Sequence, residues 1–425
     1  MKNKQQRDFQ SRIDRSQRAE YQCQRLNQML SKILPHNRFY AEKLSHLTLP
    51  LPSLQQLATL PYTFKDELLT GGGDVDLPAN LTYPEHQYVR YHRTSGTSGR
   101  PLAVLDTAED WIWWSDTWQY VLDAAEISPD DRALLAFSFG PFIGFWSAFD
   151  ALINRGVMTI PAGSMSSLAR LQLIRTSKAN VLFCTPSYAL HLVEVAKENQ
   201  IDVADLGLQR IIVAGEPGGS IPAIRHRIET NWNARLIDHC GASEIGPWGF
   251  NAADGEGLII NEAEFIAEFR SLETNQAAKE GELSELVLTT LGRLGSPVIR
   301  YRTGDLVRPF VNHNYDSTFV FLKGGVLGRA DDMMIVRGVN IFPSSIEQII
   351  HSFPEVAEFR MIAFKKGELD SLRIEVEDRL GQPERIAKEL LVRLNLKVEV
   401  TAVPLGSLPR YEMKGQRFQD RRNQT

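Results

Sequence analysis

The pattern of apolar and polar positions in the middle of the chain is typical of an α/β fold. From about residue 130, short apolar runs such as RALLAF, VLFC and RIIVAG alternate with segments whose apolar residues recur at helical spacing. Neighbouring parallel strands need such crossovers, because the chain must return to the same end of the sheet before the next strand begins. The pattern therefore predicts a largely parallel sheet covered by helices.

Two further segments in the first part of the chain have a distinct pattern. Residues 5–35 carry apolar positions at helical spacing among many charges, which predicts a surface helix ending near Pro35. The longest apolar run, ALLAFSFGPFIGFWSAF, covers residues 133–149 and is interrupted by Gly140 and Pro141. We expect a buried strand, an aromatic-lined turn and a helix there, rather than a membrane span.

The pattern changes again after about residue 255, where strand-like segments dominate. The last hundred residues repeat a small α/β pattern, and Ser344 followed by Glu347 has the spacing of a helix capping box. We place a domain boundary near Gly328-Arg329. The predicted architecture is a large N-terminal α/β domain of helix-covered sheets, residues 1–328, followed by a small, mobile α+β domain, residues 329–425.

Composition and charge exclude several classes of protein. The chain has 425 residues, with 47 Lys and Arg against 52 Asp and Glu, and the net charge of −5 disfavours a nucleic-acid partner. Cys23, Cys184 and Cys240 are too few and too far apart for a disulfide framework or a cysteine-rich zinc site. The charged, glutamine-rich start resembles neither a secretory signal nor a membrane anchor. We therefore expect a cytoplasmic protein that does not associate with membranes.

A run of small, hydroxylated and glycine residues at positions 94–101, TSGTSGRP, is the first candidate for chemistry. Glycines let the backbone approach a ligand, hydroxyls and amides donate to phosphate oxygens, and an arginine neutralises their charge. Such runs are also common in plain loops, and no Gly-Lys-Ser or Gly-Lys-Thr ends this one as in a Walker motif. The candidate phosphate loop consists of Thr94, Ser95, Gly96, Thr97, Ser98, Gly99, Arg100 and Pro101.

This loop is followed by five more motifs in a fixed order. In that order and spacing, the motifs resemble those of the adenylate-forming superfamily of acyl-CoA synthetases, and within it the phenylacetate-CoA ligase branch. The resemblance runs from about residue 90 to 422. The motifs are GEPGG at 215–219, DHCGASE at 238–244, YRTGDL at 301–306, GRADD at 328–332 leading to RGVNIFP at 337–343, and LPR at 408–410 ahead of Lys414.

The resemblance implies that the loop and these motifs form one ATP site. The loop would wrap the phosphates, Asp238 would accept from the adenine amino group, and Asp305 would take both ribose hydroxyls. Cys240 stands where relatives usually have an aromatic ring on the adenine, so His239 or another packing would have to replace that ring. The implied nucleotide contacts are Ser95, Gly96, Thr97, Ser98, Gly99, Gly215, Glu216, Pro217, Asp238, His239, Cys240, Gly241, Ser243, Asp305 and Arg329.

The resemblance also implies catalytic, metal and CoA-binding residues. Lys414, together with Arg100 and Thr94, would stabilise the negative charge that develops on the reacting carboxylate and α-phosphate. Glu244 would hold Mg2+, a hard cation that suits a carboxylate plus phosphate oxygens. Asp331 would be the hinge of the small domain. CoA would be bound by Arg337 and Gly338.

The acid pocket is expected around the aromatic turn after residue 136. Its aromatic density suits a flat, apolar acid, although the same residues also suit core packing. The predicted lining is Phe137, Phe139, Gly140, Phe142, Phe145, Trp146 and Ala214.

Together, these features predict a ligase. A carboxylic acid, expected to be aryl or arylacetic, would react with ATP to give an acyl-adenylate and pyrophosphate, and the acyl group would then pass to CoA. Two alternatives stay open: transfer to a carrier protein or another acceptor, and a catalytically impaired homologue that only binds nucleotide or acid, which the unusual Cys240 motivates. A homodimer is also left open.

Overall fold

The computed structural model describes residues 2–69, 77–94, 101–137, 140–330, 334–336, 339–366, 369–394, 397–409 and 417–422. The part of the chain up to residue 107 contains helices of various lengths and a β-hairpin. Its elements are helices α1 (Lys4–Arg12), α2 (Arg15–Ile33), α3 (Arg38–Lys43) and α4 (Lys65–Leu68), and strands β1 (Tyr88–Arg93) and β2 (Ala103–Thr107).

The predicted single helix over residues 5–35 is wrong in one respect, because two helices occupy this segment. The Asp14 side chain accepts from the Gln17 amide and caps the start of α2, which forces a new helix to begin there. One face of α2, including Leu26 and Leu30, is buried in a cluster with Ile266, so the helix is part of the core rather than a surface addition.

Strands and helices alternate through the centre of the chain, as predicted. This region contains α5 (Ala108–Ala124), β3 (Arg132–Leu135), α6 (Ile143–Arg155), β4 (Met158–Pro161), α7 (Ser167–Ser177), β5 (Val181–Cys184), α8 (Pro186–Glu198), β6 (Arg210–Val213), α9 (Pro222–Trp232) and β7 (Arg235–Ala242). Strands β4, β3, β5, β6 and β7 lie side by side in that order and are parallel. The predicted parallel sheet is therefore confirmed.

Strand-rich segments follow, and they extend this sheet and build a second one. They are β8 (Gly246–Asn251), β9 (Gly257–Ile260), β10 (Phe265–Ser271), β11 (Ser284–Thr290), β12 (Tyr301–Val307), β13 (Pro309–Phe310), β14 (Phe321–Lys323) and β15 (Gly328–Arg329). Strands β8, β9, β14 and β13 continue the large sheet from β7 in antiparallel fashion. Strands β10, β11, β12 and β15 form a separate antiparallel sheet.

The remaining elements form a smaller C-terminal α/β unit. They are β16 (Met334–Val336), β17 (Val339–Ile341), α10 (Pro343–His351), β18 (Val356–Lys366), β19 (Leu369–Asp378), α11 (Pro383–Leu394), β20 (Glu399–Ala402) and β21 (Phe418–Asp420). Strands β20, β19, β18 and β21 form its sheet. The fold class is thus confirmed: a large N-terminal α/β domain precedes a smaller C-terminal domain.

The predicted capping box at Ser344 and Glu347 is wrong. Helix α10 begins at Pro343, whose fixed φ suits the first helical position, so Ser344 already lies within the first turn. The Ser344 hydroxyl instead donates to the carbonyl of Leu327 at 2.6 Å. This bond ties the start of α10 to the segment that precedes β15.

Side chains of the parallel strands alternate between two buried layers. Leu182 of β5 and Ile211 of β6 face a cluster built with α7, α8 and α9. Phe183 of β5 and Ile212 of β6 face the opposite cluster, built with α5 and α6. This two-residue period follows from strand geometry and decides which way each residue of the site points. None of the helices in the described ranges has the length and apolar character needed to cross a bilayer.

Candidate active site

The base of the candidate phosphate loop is held by a pair of hydrogen bonds between Thr94 and Leu102. The Thr94 amide donates to the Leu102 carbonyl at 2.9 Å, and the Leu102 amide donates to the Thr94 hydroxyl at 2.9 Å. The amide of Arg93 donates to the carbonyl of Pro141 at 2.7 Å. These bonds place the ends of the loop beside the aromatic turn predicted to line the acid pocket.

The segment after β6 lies close to β7, as an adenine-binding backbone segment would require. A Cβ atom added to Gly219 would lie 2.4 Å from the carboxyl carbon of Asp238, so a larger residue would displace the Asp238 side chain or the backbone. Gly215 adopts φ of 93°, a left-handed conformation that favours glycine. The Glu216 carboxylate turns back and accepts from the Ser187 amide at 2.7 Å.

Asp238 is buried in the middle of β7, where the parallel pairing with β6 ends, on the side of the sheet covered by α7, α8 and α9. It is 8% exposed, and its carboxylate accepts a hydrogen bond from the hydroxyl of Ser220. Burial raises the pKa of Asp238 to about 6, although the Ser220 bond acts in the opposite direction. Near neutral pH the carboxylate is therefore mostly ionised and can accept a further hydrogen bond.

His239 points to the opposite side of the sheet from Asp238, because successive strand residues alternate. Its ring lies 4.3 Å from the ring of Trp118 on α5, measured between centroids, and its Nδ1 lies 2.8 Å from the Gly249 carbonyl oxygen. Burial lowers the pKa of His239 to about 4. This geometry argues against the nucleotide contact predicted for His239.

The next two residues of the DHCGASE motif, Cys240 and Gly241, have small side chains, and the close approach of β8 to β7 leaves little room at Gly241. A Cβ atom on Gly241 would lie 2.9 Å from the Gly246 carbonyl oxygen. Cys240 is half-buried and packs against the apolar cluster that includes Trp248. Cys240 therefore belongs partly to the core, and its thiol provides no aromatic surface for a base.

Glu244 is buried and lies beside Lys65 and Tyr301. The ammonium nitrogen of Lys65 is 3.2 Å from Glu244 Oε1, and the Tyr301 hydroxyl is 3.5 Å from the same oxygen. No group of three or more potential metal ligands occurs within the described residues. A single carboxylate fits Mg2+ when phosphate oxygens and waters complete the coordination, so the donor set suits a metal that arrives with a nucleotide.

A fully buried ion pair supports the backbone at Glu244. Arg293 and Asp106 both have no exposed side-chain surface, and their nearest atoms are 2.7 Å apart. The Arg293 guanidinium also donates to the carbonyls of Ser243 at 3.1 Å and Glu244 at 2.8 Å. Arg293 therefore fixes the position of the turn that carries the predicted metal ligand.

Asp305 and Arg329 face each other on neighbouring strands, β12 and β15. They are register partners, and an Arg329 guanidinium nitrogen lies 3.1 Å from Asp305 Oδ1. The same nitrogen donates to the carbonyl of Thr303 at 2.7 Å. Tyr301 links this pair to the rest of the site, since it interacts electrostatically with Glu244, Asp305 and Arg329.

The residues of the aromatic turn after residue 136 differ in burial, so only some of them are placed to line a pocket. Phe137 is buried in the cluster between the sheet, α5 and α6, whereas Phe142 and Trp146 are half-buried. The Trp146 indole donates to the Gly140 carbonyl at 2.9 Å and so fixes the turn. Ala214 follows β6 directly, one residue after Val213, which is the register partner of Asp238.

Several predicted site residues have no structural account. Those outside the described residues are Ser95, Gly96, Thr97, Ser98, Gly99, Arg100, Phe139, Asp331, Arg337, Gly338 and Lys414, and the side chain of Phe145 is not described either. Two supporting residues, Lys65 and Arg293, were not predicted. Both lie far along the chain from Glu244, and neither belongs to a motif that would reveal it.

Comparison with known proteins identifies relatives over most of the chain. The family model for the AMP-binding enzyme matches residues 71–263, and the model for the AMP-binding enzyme C-terminal domain matches residues 338–422. The phenylacetate-coenzyme A ligase of Pseudomonas putida is 30% identical over 392 residues, which cover 88% of this chain and 86% of the relative. That of Escherichia coli K12 is 32% identical and covers 80% of each chain.

A solved structure shows the same fold over nearly the whole chain. The crystal structure of 2-hydroxyisobutyryl-CoA ligase in the postadenylation state, in complex with 2-HIB-AMP, has a TM-score of 0.91 and 24% identity, and the match covers 99% of this chain and 94% of that one. The motifs, the fold and the relatives agree. The chain belongs to the adenylate-forming family of AMP-binding enzymes, in its phenylacetate-CoA ligase branch.

Proposed function

We propose that this AMP-forming acid–CoA ligase activates an aryl or arylacetic acid. A carboxylate oxygen of the acid attacks the α-phosphorus of ATP, the bond to the leaving pyrophosphate breaks, and an acyl-adenylate forms. The CoA thiol then loses its proton and attacks the acyl carbon, giving the thioester and releasing AMP. AMP leaves far more readily than the oxide ion that a bare carboxylate would have to expel.

The observation that carries this proposal is the set of nucleotide-suited groups on β7, on the turn after it and on the second sheet, where Tyr301 contacts Glu244. Asp238 lies on β7 opposite the last residue of β6, Glu244 lies just beyond β7, and Tyr301 connects Glu244 to the pair of Asp305 and Arg329. An ionised buried carboxylate suits the adenine amino group, and Asp305 suits two ribose hydroxyls. Glu244 would hold Mg2+, which when bound neutralises charge on the phosphates.

The aromatic turn and the buried Phe137 support an aromatic acid. Phe142 and Trp146 are half-buried beside the loop base at Arg93, where the carboxylate end of an acid would meet the phosphates. A ring between aromatic side chains gains contact area and favourable edge-to-face geometry. Lys414, Arg100, the hinge Asp331 and the CoA contacts Arg337 and Gly338 keep the roles that the family resemblance gives them.

The test is pyrophosphate release from ATP and Mg2+ with a panel of aryl, arylacetic and straight-chain aliphatic acids, each with and without CoA. We expect release that depends on an aromatic acid, is faster with CoA and yields the thioester. Release with aliphatic acids alone would contradict the proposed substrate class. Release that CoA does not affect would point to a carrier protein or another acceptor.

The proposal also covers where the enzyme is located and whether it forms a homodimer. We place the enzyme in the cytoplasm, which is supported by the free thiols of Cys23 and Cys184. A homodimer remains a prediction. Light scattering after size-exclusion chromatography measures the assembly directly, and a mass near 47.9 kDa would contradict a dimer.

A further inference from the structure

His239 is a buried polar residue that the reaction described above does not use. It is 6% exposed, and it faces Trp118 and the α5–α6 side of the sheet, where Phe137 belongs to the same cluster as Trp118, rather than the side that Asp238 faces. Ala214 comes directly after the neighbouring strand β6, whose last residue Val213 pairs with Asp238, at the carboxyl edge where ligands bind in such sheets. We therefore assign His239 to the wall of the predicted acid pocket.

The hydrogen bonding of His239 fixes the position of its proton. Nδ1 lies 2.8 Å from the Gly249 carbonyl oxygen, and since a carbonyl only accepts, Nδ1 must donate. Burial lowers the pKa of the ring to about 4, so it is neutral at physiological pH. In a neutral imidazole whose Nδ1 carries the proton, Nε2 is a hydrogen-bond acceptor.

Within the described part of the chain, Nε2 has no hydrogen-bond partner, yet it is not sealed away from solvent. Its polar neighbours already have partners. The Trp118 indole donates to the Ser147 hydroxyl at 2.8 Å, and that hydroxyl donates to the Gly144 carbonyl at 3.1 Å. Because Nε2 is an acceptor that solvent can reach on a residue that is otherwise buried, a ligand that enters there and displaces water must donate to it or lose a hydrogen bond.

The position along β7 indicates which part of the ligand meets His239. Glu244, beside which the phosphates and the carboxylate would react, lies five residues further on. His239 is three residues before the end of β7 at Ala242, or roughly 10 Å of extended strand. A group next to Nε2 therefore belongs to the body of the acid, away from its carboxylate.

We propose that His239 Nε2 accepts a hydrogen bond from a hydroxyl or amino group on the acyl part of the substrate. The enzyme would then act on a hydroxy- or amino-substituted aromatic acid rather than on an unsubstituted one. This inference rests on the proposed function, since it names a substrate class for the same site.

Matched acids test the inference on the unmodified enzyme. Each ring isomer of hydroxy- and aminophenylacetic acid and of hydroxy- and aminobenzoic acid is compared with its methyl and methoxy counterparts, which have similar size but cannot donate. We expect at least one hydroxy or amino isomer to have a kcat/KM at least tenfold above its methyl and methoxy counterparts. Equal kcat/KM values across every matched set would overturn the inference and leave the proposed function intact. Release with no acid at all would overturn both.

Two variants then assign the preference to His239. His239→Leu removes the acceptor and should reduce the preference to below twofold, whereas His239→Gln, whose carbonyl oxygen can accept, should retain more of it. His191→Leu is the matched control, because His191 also contacts an aromatic ring, that of Tyr188 on α8, but lies outside the pocket. It should leave the preference unchanged. An undiminished preference in His239→Leu would overturn the assignment, and if that variant fails to fold, the matched acids alone decide.

Discussion

Removing Arg293 is expected to destabilise the protein strongly, because the buried carboxylate of Asp106 would lose the cation beside it and retain the Trp114 indole, which donates to it at 3.1 Å. Both side chains are completely buried, and their nearest atoms are 2.7 Å apart. Breaking such a pair by removing one partner costs about 3–5 kcal/mol. Arg293→Met also removes the donors to the Ser243 and Glu244 carbonyls, so the turn that carries Glu244 should move.

The magnitude can be measured by a double-mutant cycle in urea. Arg293→Met should lower the free energy of unfolding by about 3–5 kcal/mol, whereas Arg293→Met combined with Asp106→Leu should recover at least about 2 kcal/mol of that loss, because no charge then remains buried. Arg235→Met is the matched control. Its partner Glu126 and Arg235 itself are 72% and 38% exposed, and such pairs contribute about 0–1 kcal/mol.

An activity assay on the same variants shows whether Arg293 positions Glu244 or only stabilises the fold. At a temperature where all variants are folded, Arg293→Met should raise the Mg2+ concentration needed for half-maximal activity, since Glu244 is displaced. Arg235→Met should not. A loss below about 1 kcal/mol in Arg293→Met, or a double variant less stable than the single one, would refute the reasoning.

Three further predictions concern Glu244, Gly219 and Asp238. Glu244→Gln should raise the Mg2+ concentration for half-maximal pyrophosphate release at least tenfold, measured by Mg2+ titration, and an unchanged requirement would exclude Glu244 as the ligand. Gly219→Ala should weaken ATP binding at least tenfold in calorimetry, because its Cβ would meet Asp238 at 2.4 Å, whereas Gly144→Ala, with open space around its Cβ, should not. Asp238 has a pKa raised to about 6 by burial, against 3.8 ordinarily, so the folded state binds its proton more tightly than the unfolded chain. Wild-type stability should therefore fall relative to Asp238→Asn as pH rises from about 4 to 6, by up to about 3 kcal/mol, and parallel pH profiles would contradict this.

The central sheet could be predicted from the sequence because its signal is local. Each strand of the parallel set is a short apolar run, and each crossover helix carries its own spacing, so β3 to β7 need no knowledge of distant residues. The errors arose where a single residue sets an end. Asp14 begins a second helix, and Pro343 moves the start of α10 ahead of Ser344.

Prediction of the site residues from the sequence was also possible only where the signal is local. Asp238 and Glu244 were predicted from a motif, and strand alternation alone would have shown that His239 faces away from Asp238. Lys65 and Arg293 could not be predicted, because they meet Glu244 only after the chain has folded. A sequence motif can indicate which residues contact a ligand. The residues that position those ligand contacts are found only from the tertiary structure.

The central claim is that the acid reacts through an acyl-adenylate, and tracing an isotopically labelled carboxylate oxygen into the products tests it most directly. With an acid labelled with 18O in both carboxylate oxygens, attack on the α-phosphorus makes one labelled oxygen the bridge of the adenylate, and thiolysis then leaves that oxygen on AMP. Mass spectrometry of the products should find one 18O in AMP for each thioester formed and none in pyrophosphate. Unlabelled AMP, or label in released phosphate, would contradict an acyl-adenylate intermediate.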